Sequence, residues 1–178
     1  THAVVSEGDR THAADRARNL HGVGGAGIKV CALSNGVDSL AYSQAGGELP
    51  AVDVLPGQAG DGDEGTAMLE IVHDLAPEAA LGYASAFGGE AQFAQNILDL
   101  AASGCRIIVD DVIYVVESPF QDGVLAATVD EVAAQGVLYL SSAGNEGNLD
   151  DGTSGTWQGD FLAGPPLPLL PGMLLHDF

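Results

Sequence analysis

Short apolar segments alternate with amphipathic ones through most of this chain, and that alternation restricts the fold more than any other feature. The apolar segments are apolar on both faces, as strands are when a sheet is buried on both sides. They therefore predict a parallel sheet, since half-exposed antiparallel strands alternate between apolar and polar residues. The predicted strands lie near 28–34, 51–55, 80–86, 106–112 and 137–142.

The intervening segments place apolar residues at helical spacing. Gly104 and Gly136 follow two of them, at the position where glycine commonly ends a helix. Strands that alternate with helices imply right-handed crossovers and helices on both faces of the sheet. We therefore expect an α/β fold with a doubly wound parallel sheet. The predicted helices lie at 10–21, 64–75, 91–103 and 123–135.

The 178 residues suffice for one domain with a real core. Within it we expect a helical lead-in at 1–22, a core of βα units at 23–145, and an irregular tail rich in proline and glycine at 146–178. The regular pattern stops after Asn145 without a closing strand and helix, so the predicted fold is incomplete in this chain.

The formal net charge of −20, from 25 acidic residues against 5 lysines and arginines, argues against a nucleic-acid partner and against an anionic membrane surface. No apolar run reaches the length of a membrane-spanning helix. The charge favours solubility and fits a secreted or extracytoplasmic protein.

No cofactor or metal is expected. "GVGGAG" at 22–27 follows a helix and precedes a strand, which reverses the order of a dinucleotide-binding loop. No CxxC pair or histidine cluster indicates zinc. Cys31 and Cys105 each lie in an apolar, strand-like run, and this setting favours two buried free thiols over a disulfide.

Chemistry in a parallel α/β sheet takes place beyond the carboxyl ends of the strands. That rule selects three places: Ser34 to Gly36, Asp110 with Asp111, and Ser142 to Asn145. The two aspartates could line a substrate cleft or bind a cation, and the sequence favours neither alternative.

Three motifs resemble the subtilisin superfamily of peptidases, in the same order along the chain. "VCALSNG" resembles the turn that carries the catalytic acid, "DEGTAM" the helix start that carries the histidine, and "SSAGNEG" the strand end with the oxyanion asparagine. The resemblance covers roughly residues 22–150, and glutamate replaces histidine in the second motif. That replacement is typical of a branch related to the sedolisins, which use a glutamate base.

The resemblance implies a role for three residues. Glu64 stands at the position of the general base, Asn145 at that of the oxyanion donor, and Asn35 at that of the catalytic aspartate. An amide at position 35 brings no charge, so it would remove a like-charge neighbour able to raise the pKa of Glu64. The simpler interpretation of Asp63 and Glu64 is that they complement the dipole at a helix start.

The nucleophile is where the chain departs most from the family. "GTS" at 152–154 follows Asn145 too closely and opens no helix, so we interpret Ser154 as a turn residue and expect the nucleophilic serine outside this chain. The aspartate of the sedolisin dyad is also absent, since Met68 occupies that position.

We therefore expect part of a serine-type endopeptidase, inactive by itself, that acts on a peptide or protein substrate together with the missing half of its own domain. The alternative is a catalytically dead pseudopeptidase that serves as a protein-binding domain.

Overall fold

The computed structural model describes residues 4–118, 121–145, 147–148, 150–153, 163–166 and 174–176. The chain divides into two compact units. The first comprises Thr1–Glu117 and Asp122–Ala143, and the second comprises Ser118–Gln121 and Gly144–Phe178.

A five-stranded sheet forms the centre of the first unit, in the order β2-β3-β1-β4-β5. Every neighbouring pair is parallel, and β1 lies in the middle, with Val30 opposite Leu81 of β3 on one side and Ile107 of β4 on the other. The predicted parallel α/β sheet is confirmed. The strands are β1 (Lys29–Ser34), β2 (Val52–Val54), β3 (Ala80–Ser85), β4 (Ile107–Asp110) and β5 (Leu138–Ser141).

Six helices accompany the sheet: α1 (Gly8–Thr11), α2 (Ala14–His21), α3 (Leu40–Gly46), α4 (Glu64–Leu75), α5 (Glu90–Ala102) and α6 (Val124–Ala134). The single helix expected at 10–21 is instead two, because Ala13 adopts a left-handed conformation with φ of 57°. Arg18 of α2 then reaches back to Asp9 of α1 in a two-pronged ion pair. The short α3 has only Ser43 buried, so it lacks the apolar periodicity that would have predicted it.

The core lies on both faces of the sheet, as predicted. Cys31 and Leu33 of β1 belong to the cluster under α5 and α6, whereas Ala32 belongs to the cluster under α4. Successive residues of β1 thus point to opposite faces, and Val30 to Leu33 are all buried, which explains why this part of the strand is apolar on both faces.

On the face of the sheet opposite α6, the edge strand β5 carries exposed apolar side chains. Ile107, Val109, Leu138 and Leu140 share the face of β4 and β5 opposite α6, because their neighbours Ile108 and Tyr139 belong to the cluster on the α6 side. Leu138 and Leu140 are 54% and 49% exposed. This apolar area lies at the edge strand β5.

The second unit contains two short strands, β6 (Ala163–Pro166) and β7 (Leu174–His176), which pair antiparallel. The stretch expected to be irregular therefore includes a two-stranded sheet.

Within the described residues, no helix combines the length and the apolar character that crossing a bilayer requires.

The cysteines were predicted wrongly. Cys31 and Cys105 form a disulfide with their Cα atoms 5.9 Å apart, and both are almost completely buried. The two cysteines are 74 residues apart in the sequence, which gave no sign of the bond. Because β4 pairs with β1, Cys105, two residues before β4, lies beside Cys31. The bond ties the central strand to its neighbour at the start of β4.

We expect the double substitution Cys31→Ala/Cys105→Ala to lower the free energy of unfolding by about 2–5 kcal/mol, because it frees a long loop in the unfolded chain. Urea unfolding followed by circular dichroism measures the change, and the wild type under reducing conditions should lose a similar amount. Equal unfolding midpoints for the double variant and the oxidised wild type would contradict the stabilising role.

Candidate functional site

The carboxyl edge of the sheet gathers the candidate residues of the first unit. Ser34 ends β1, Asp110 ends β4, and Glu64 begins α4 on the same edge. Asn35 and Glu64, which are distant in sequence, are in hydrogen-bond contact here.

The Asn35 side chain joins the end of β1 to the start of α4. Its Oδ1 accepts the backbone N–H of Glu64 at 3.0 Å and that of Gly36 at 2.5 Å. The Glu64 N–H is one of the helix-start donors that have no partner within the helix. Asn35 therefore fixes the backbone of Glu64 without placing a charge beside it.

Two glycines of the "GDEGT" stretch allow this close approach. Gly62 has φ of +110° and packs against the Asn35 amide, so a Cβ there would be both strained and too close. At Gly65 a Cβ would overlap the ring of Tyr83 and approach the Gly36 carbonyl to 2.6 Å. The first turn of α4 can lie against the end of β1 only because these side chains are missing.

The Asp63 side chain does not cap α4. Its carboxylate accepts the Ser39 N–H at 2.5 Å and the Ser39 hydroxyl at 2.9 Å, and it forms no capping bond to the backbone of α4. Asp63 thus anchors α4 to the start of α3. Glu64 is left exposed at the helix start, with its backbone held by Asn35.

Asp111, just after β4, provides the charged neighbour of Glu64. The fully buried Ser34 donates its hydroxyl to Asp111 Oδ2 at 3.1 Å, while the Tyr83 hydroxyl donates to the Ser34 carbonyl at 2.9 Å. The other oxygen of Asp111, Oδ1, is buried and has no hydrogen-bond partner in the described part of the chain.

This neighbour changes the electrostatics expected from the sequence. The negative charge of Asp111 raises the pKa of Glu64, and partial desolvation adds to the effect. Asn35 brings no charge to Glu64, and Asp111, just after β4, supplies a like-charge neighbour from another strand. The sequence could have indicated this neighbour, because Asp111 follows a strand that ends at the same edge of the sheet as Glu64.

Asp110 points away from Glu64 into a pocket of about 220 Å³ on the α5 and α6 side of the sheet. It is 4% exposed and accepts the Ser141 hydroxyl at 2.9 Å, and burial raises the pKa of its carboxyl. The other lining residues are mostly apolar or aromatic: Phe93, Val112, Tyr114, Glu117, Leu125, Ala126, Val129, Tyr139 and Ser141. The pocket suits an apolar group that carries a hydrogen-bond donor.

Asn145 is exposed and belongs to the second unit, so its proximity to Glu64 remains a prediction. Ser154 lies outside the described residues. Among the residues that are described, no three or more His, Cys, Asp and Glu side chains converge in a way that could hold a metal ion.

No protein-family model and no curated protein matches the chain. Its structure is similar to that of the prenylagaramide maturation protease PagA, with a TM-score of 0.53 and 20% identity over 67% of this chain and 46% of that one. The self-cleaved protease domain of PatA gives a TM-score of 0.47 and 19% identity over 69% of this chain and 51% of that one. The chain thus spans about half the length of either structure, and the likeness to PagA supports the fold.

Replacing Glu64 should stabilise the folded protein at neutral pH. Because its pKa is raised in the folded state, the stability linked to Glu64 is fully present below the unfolded pKa of about 4.3 and is lost as pH rises through the folded pKa. We therefore expect Glu64→Gln to raise the melting temperature at pH 7, with a gain of at most about 1 kcal/mol because the site is open to solvent.

At about pH 3.5, below that unfolded value, the variant and the wild type should melt nearly together. Glu131→Gln on α6 is the control and should change neither temperature. A melting temperature for Glu64→Gln below that of the wild type at pH 7 would contradict the repulsion between Glu64 and Asp111.

Proposed function

We propose that this chain supplies the base-bearing half of a serine-type endopeptidase of the subtilisin type, in a branch related to the sedolisins. The observation that carries the proposal is the Glu64 carboxyl, exposed at a helix start on the carboxyl edge of the sheet, with a pKa raised by Asp111. Carboxyl groups with a raised pKa at such an edge are typical of general bases. The fold alone would not select this function.

In the proposed reaction, Glu64 takes the proton from a serine hydroxyl as its oxygen attacks the carbonyl carbon of a peptide bond. The carbonyl oxygen becomes an oxyanion, and the Asn145 side-chain amide donates a hydrogen bond to it. Protonated Glu64 then gives the proton to the amine that leaves when the carbon–nitrogen bond breaks. Asn35 keeps Glu64 in place through its backbone N–H.

The serine itself is proposed to come from outside these 178 residues, within the other half of the same domain. The exposed side chains of Leu138 and Leu140 on the edge strand β5 support this, since both faces of a parallel sheet are normally covered. The length relative to PagA supports it as well, because the chain spans 46% of that structure. A helix that carries the nucleophile would cover this area.

The proposed substrate is a peptide or protein segment. The pocket beside Asp110 lies next to the same edge and could receive one of its side chains. The net charge of −20 disfavours nucleic acid and anionic membranes as partners. A buried disulfide favours an oxidising compartment, so we also propose a secreted or extracytoplasmic location.

One observation favours a second function. Asn35 occupies the position of the catalytic aspartate in subtilisin-like enzymes, and such a replacement is typical of a pseudopeptidase that only binds its partner. In that case the longer protein would bind peptides without hydrolysing them.

Glu64→Gln in the longer protein should reduce peptide hydrolysis by about 10²- to 10⁴-fold, because it removes the group that accepts the serine proton. A fluorogenic peptide library assayed from about pH 3 to 9, a range that spans the carboxyl and imidazole pKa values, measures the effect. Glu131→Gln is the matched control and should keep full activity. Undiminished hydrolysis by Glu64→Gln would remove Glu64 from the mechanism, and no hydrolysis by the wild type would favour the binding function.

The 178-residue chain by itself should neither hydrolyse peptides nor react with a fluorophosphonate, because covalent catalysis needs an activated nucleophile. Mass spectrometry after incubation with the reagent measures this. Labelling at Ser154 that disappears in Ser154→Ala would show that the chain carries its own nucleophile.

A further inference from the structure

Subtilisin-like sites have an acid just after the first core strand. This chain has no acid at that position. Position 35 holds an amide, whose side-chain oxygen is occupied by the N–H groups of Gly36 and Glu64. The question is which residue, if any, supplies the carboxylate beside the base.

Ser34 and Asn35, at the end of β1, each bond one of the two carboxyl-bearing residues, Asp111 and Glu64. The Ser34 hydroxyl bonds Asp111, and the Asn35 side chain bonds the backbone of Glu64. Ser34 is itself fixed, since it is 0% exposed and its carbonyl accepts both the Tyr83 hydroxyl and the Ala86 N–H. The positions of Asp111 and of the Glu64 backbone are therefore both set by hydrogen bonds to the end of β1.

We propose that Asp111 is the acid partner of Glu64. Asp111 is a positioning residue that follows β4, and it supplies the carboxylate that Asn35 does not provide. This inference rests on the proposed function, because it assigns a role to Asp111 through Glu64. The Asp111 oxygen Oδ1 is buried and unpartnered in the described part of the chain, so it is free to accept a hydrogen bond from a protonated Glu64 carboxyl.

The consequence is a stronger base. With Asp111 beside it, Glu64 holds its proton to a higher pH than a free glutamate does, and a base with a pKa nearer the working pH accepts a proton from serine more readily. Two further acids near Glu64 are Asp63 and Asp38. Asp63 immediately precedes α4 and is bonded to Ser39, whereas Asp38 follows β1 and accepts the Gly62 N–H. Neither contributes to the raised pKa of Glu64.

No cation opposes this arrangement. All five lysines and arginines lie in described segments, and none is close to Glu64 in the contacts of those segments. Lys29 pairs with Asp53 at the start of β1, and Arg18 pairs with Asp9 and the carbonyl of Leu75 at the far end of α4.

The first test needs no enzyme activity. In the 178-residue chain, the Glu64 side-chain carboxyl is titrated by carbon-13 NMR in the wild type, in Asp111→Asn, and in Asp111→Ser as a second variant that also removes the charge. We expect the Glu64 pKa to fall toward the usual value of about 4.3 in both. Asp61→Asn removes one charge from the neighbouring loop and is the matched control, which should leave the Glu64 pKa where it is in the wild type.

The second test moves the carboxylate back to β1. Asn35→Asp/Asp111→Asn keeps the side-chain oxygen that accepts the Glu64 N–H and restores one carboxylate beside Glu64. We expect the Glu64 pKa to rise again relative to Asp111→Asn alone. No rise in the double variant would contradict the charge effect on which the inference rests.

In the longer protein, Asp111→Asn should lower kcat about tenfold or more with little change in KM, and should move the acid limb of the pH profile to lower pH. The double variant should recover part of both. A Glu64 pKa that is the same in the wild type and both Asp111 variants overturns the inference and leaves the proposed function standing. Undiminished hydrolysis by Glu64→Gln overturns the proposed function, whatever the titration gives.

Discussion

The position of β1 between β3 and β4 is the constraint on which the rest of the structure depends. Near its start, the Cys31–Cys105 disulfide ties it to the segment that enters β4. At its end, Ser34 and Asn35 form hydrogen bonds to Asp111 and to the backbone of Glu64. Because the strand is buried on both faces, it cannot shift without breaking core contacts on both sides. The geometry of the candidate site is thus fixed by the most buried strand of the first unit.

The distribution of charge gives this edge its chemical character. Lys29 begins β1 and Arg106 precedes β4, at the amino edge of the sheet, whereas Glu64, Asp110 and Asp111 lie at the carboxyl edge. Carboxylates that lack a nearby cation repel one another and hold their protons more tightly. We expect this repulsion to lower the stability of the folded state at neutral pH, and in the proposed mechanism the same repulsion makes Glu64 a stronger base. A trade of stability for function is typical of active sites.

Close packing of backbone segments is the second requirement of the site. Gly62 and Gly65 let the start of α4 approach the end of β1 so closely that a single side-chain amide, that of Asn35, can join them. Asp63, interpreted from the sequence as complementing the dipole at the helix start, is bonded to Ser39 and fixes the helix from the other side. The first turn of α4 is therefore held by side chains from outside the helix.

The sequence by itself determined the class of the fold and predicted that the candidate residues would lie at the carboxyl edge of the sheet. Apolar runs such as the one that became β1 define buried parallel strands, and glycines such as Gly136 end helices, because both are local effects of burial and backbone freedom. Only the tertiary structure decided which distant side chains meet. The Cys31–Cys105 disulfide and the placement of Asp111 beside Glu64 both bring together segments whose separation depends on strand order and register. Strand order comes from the packing of the whole chain, and no local pattern of residues encodes it.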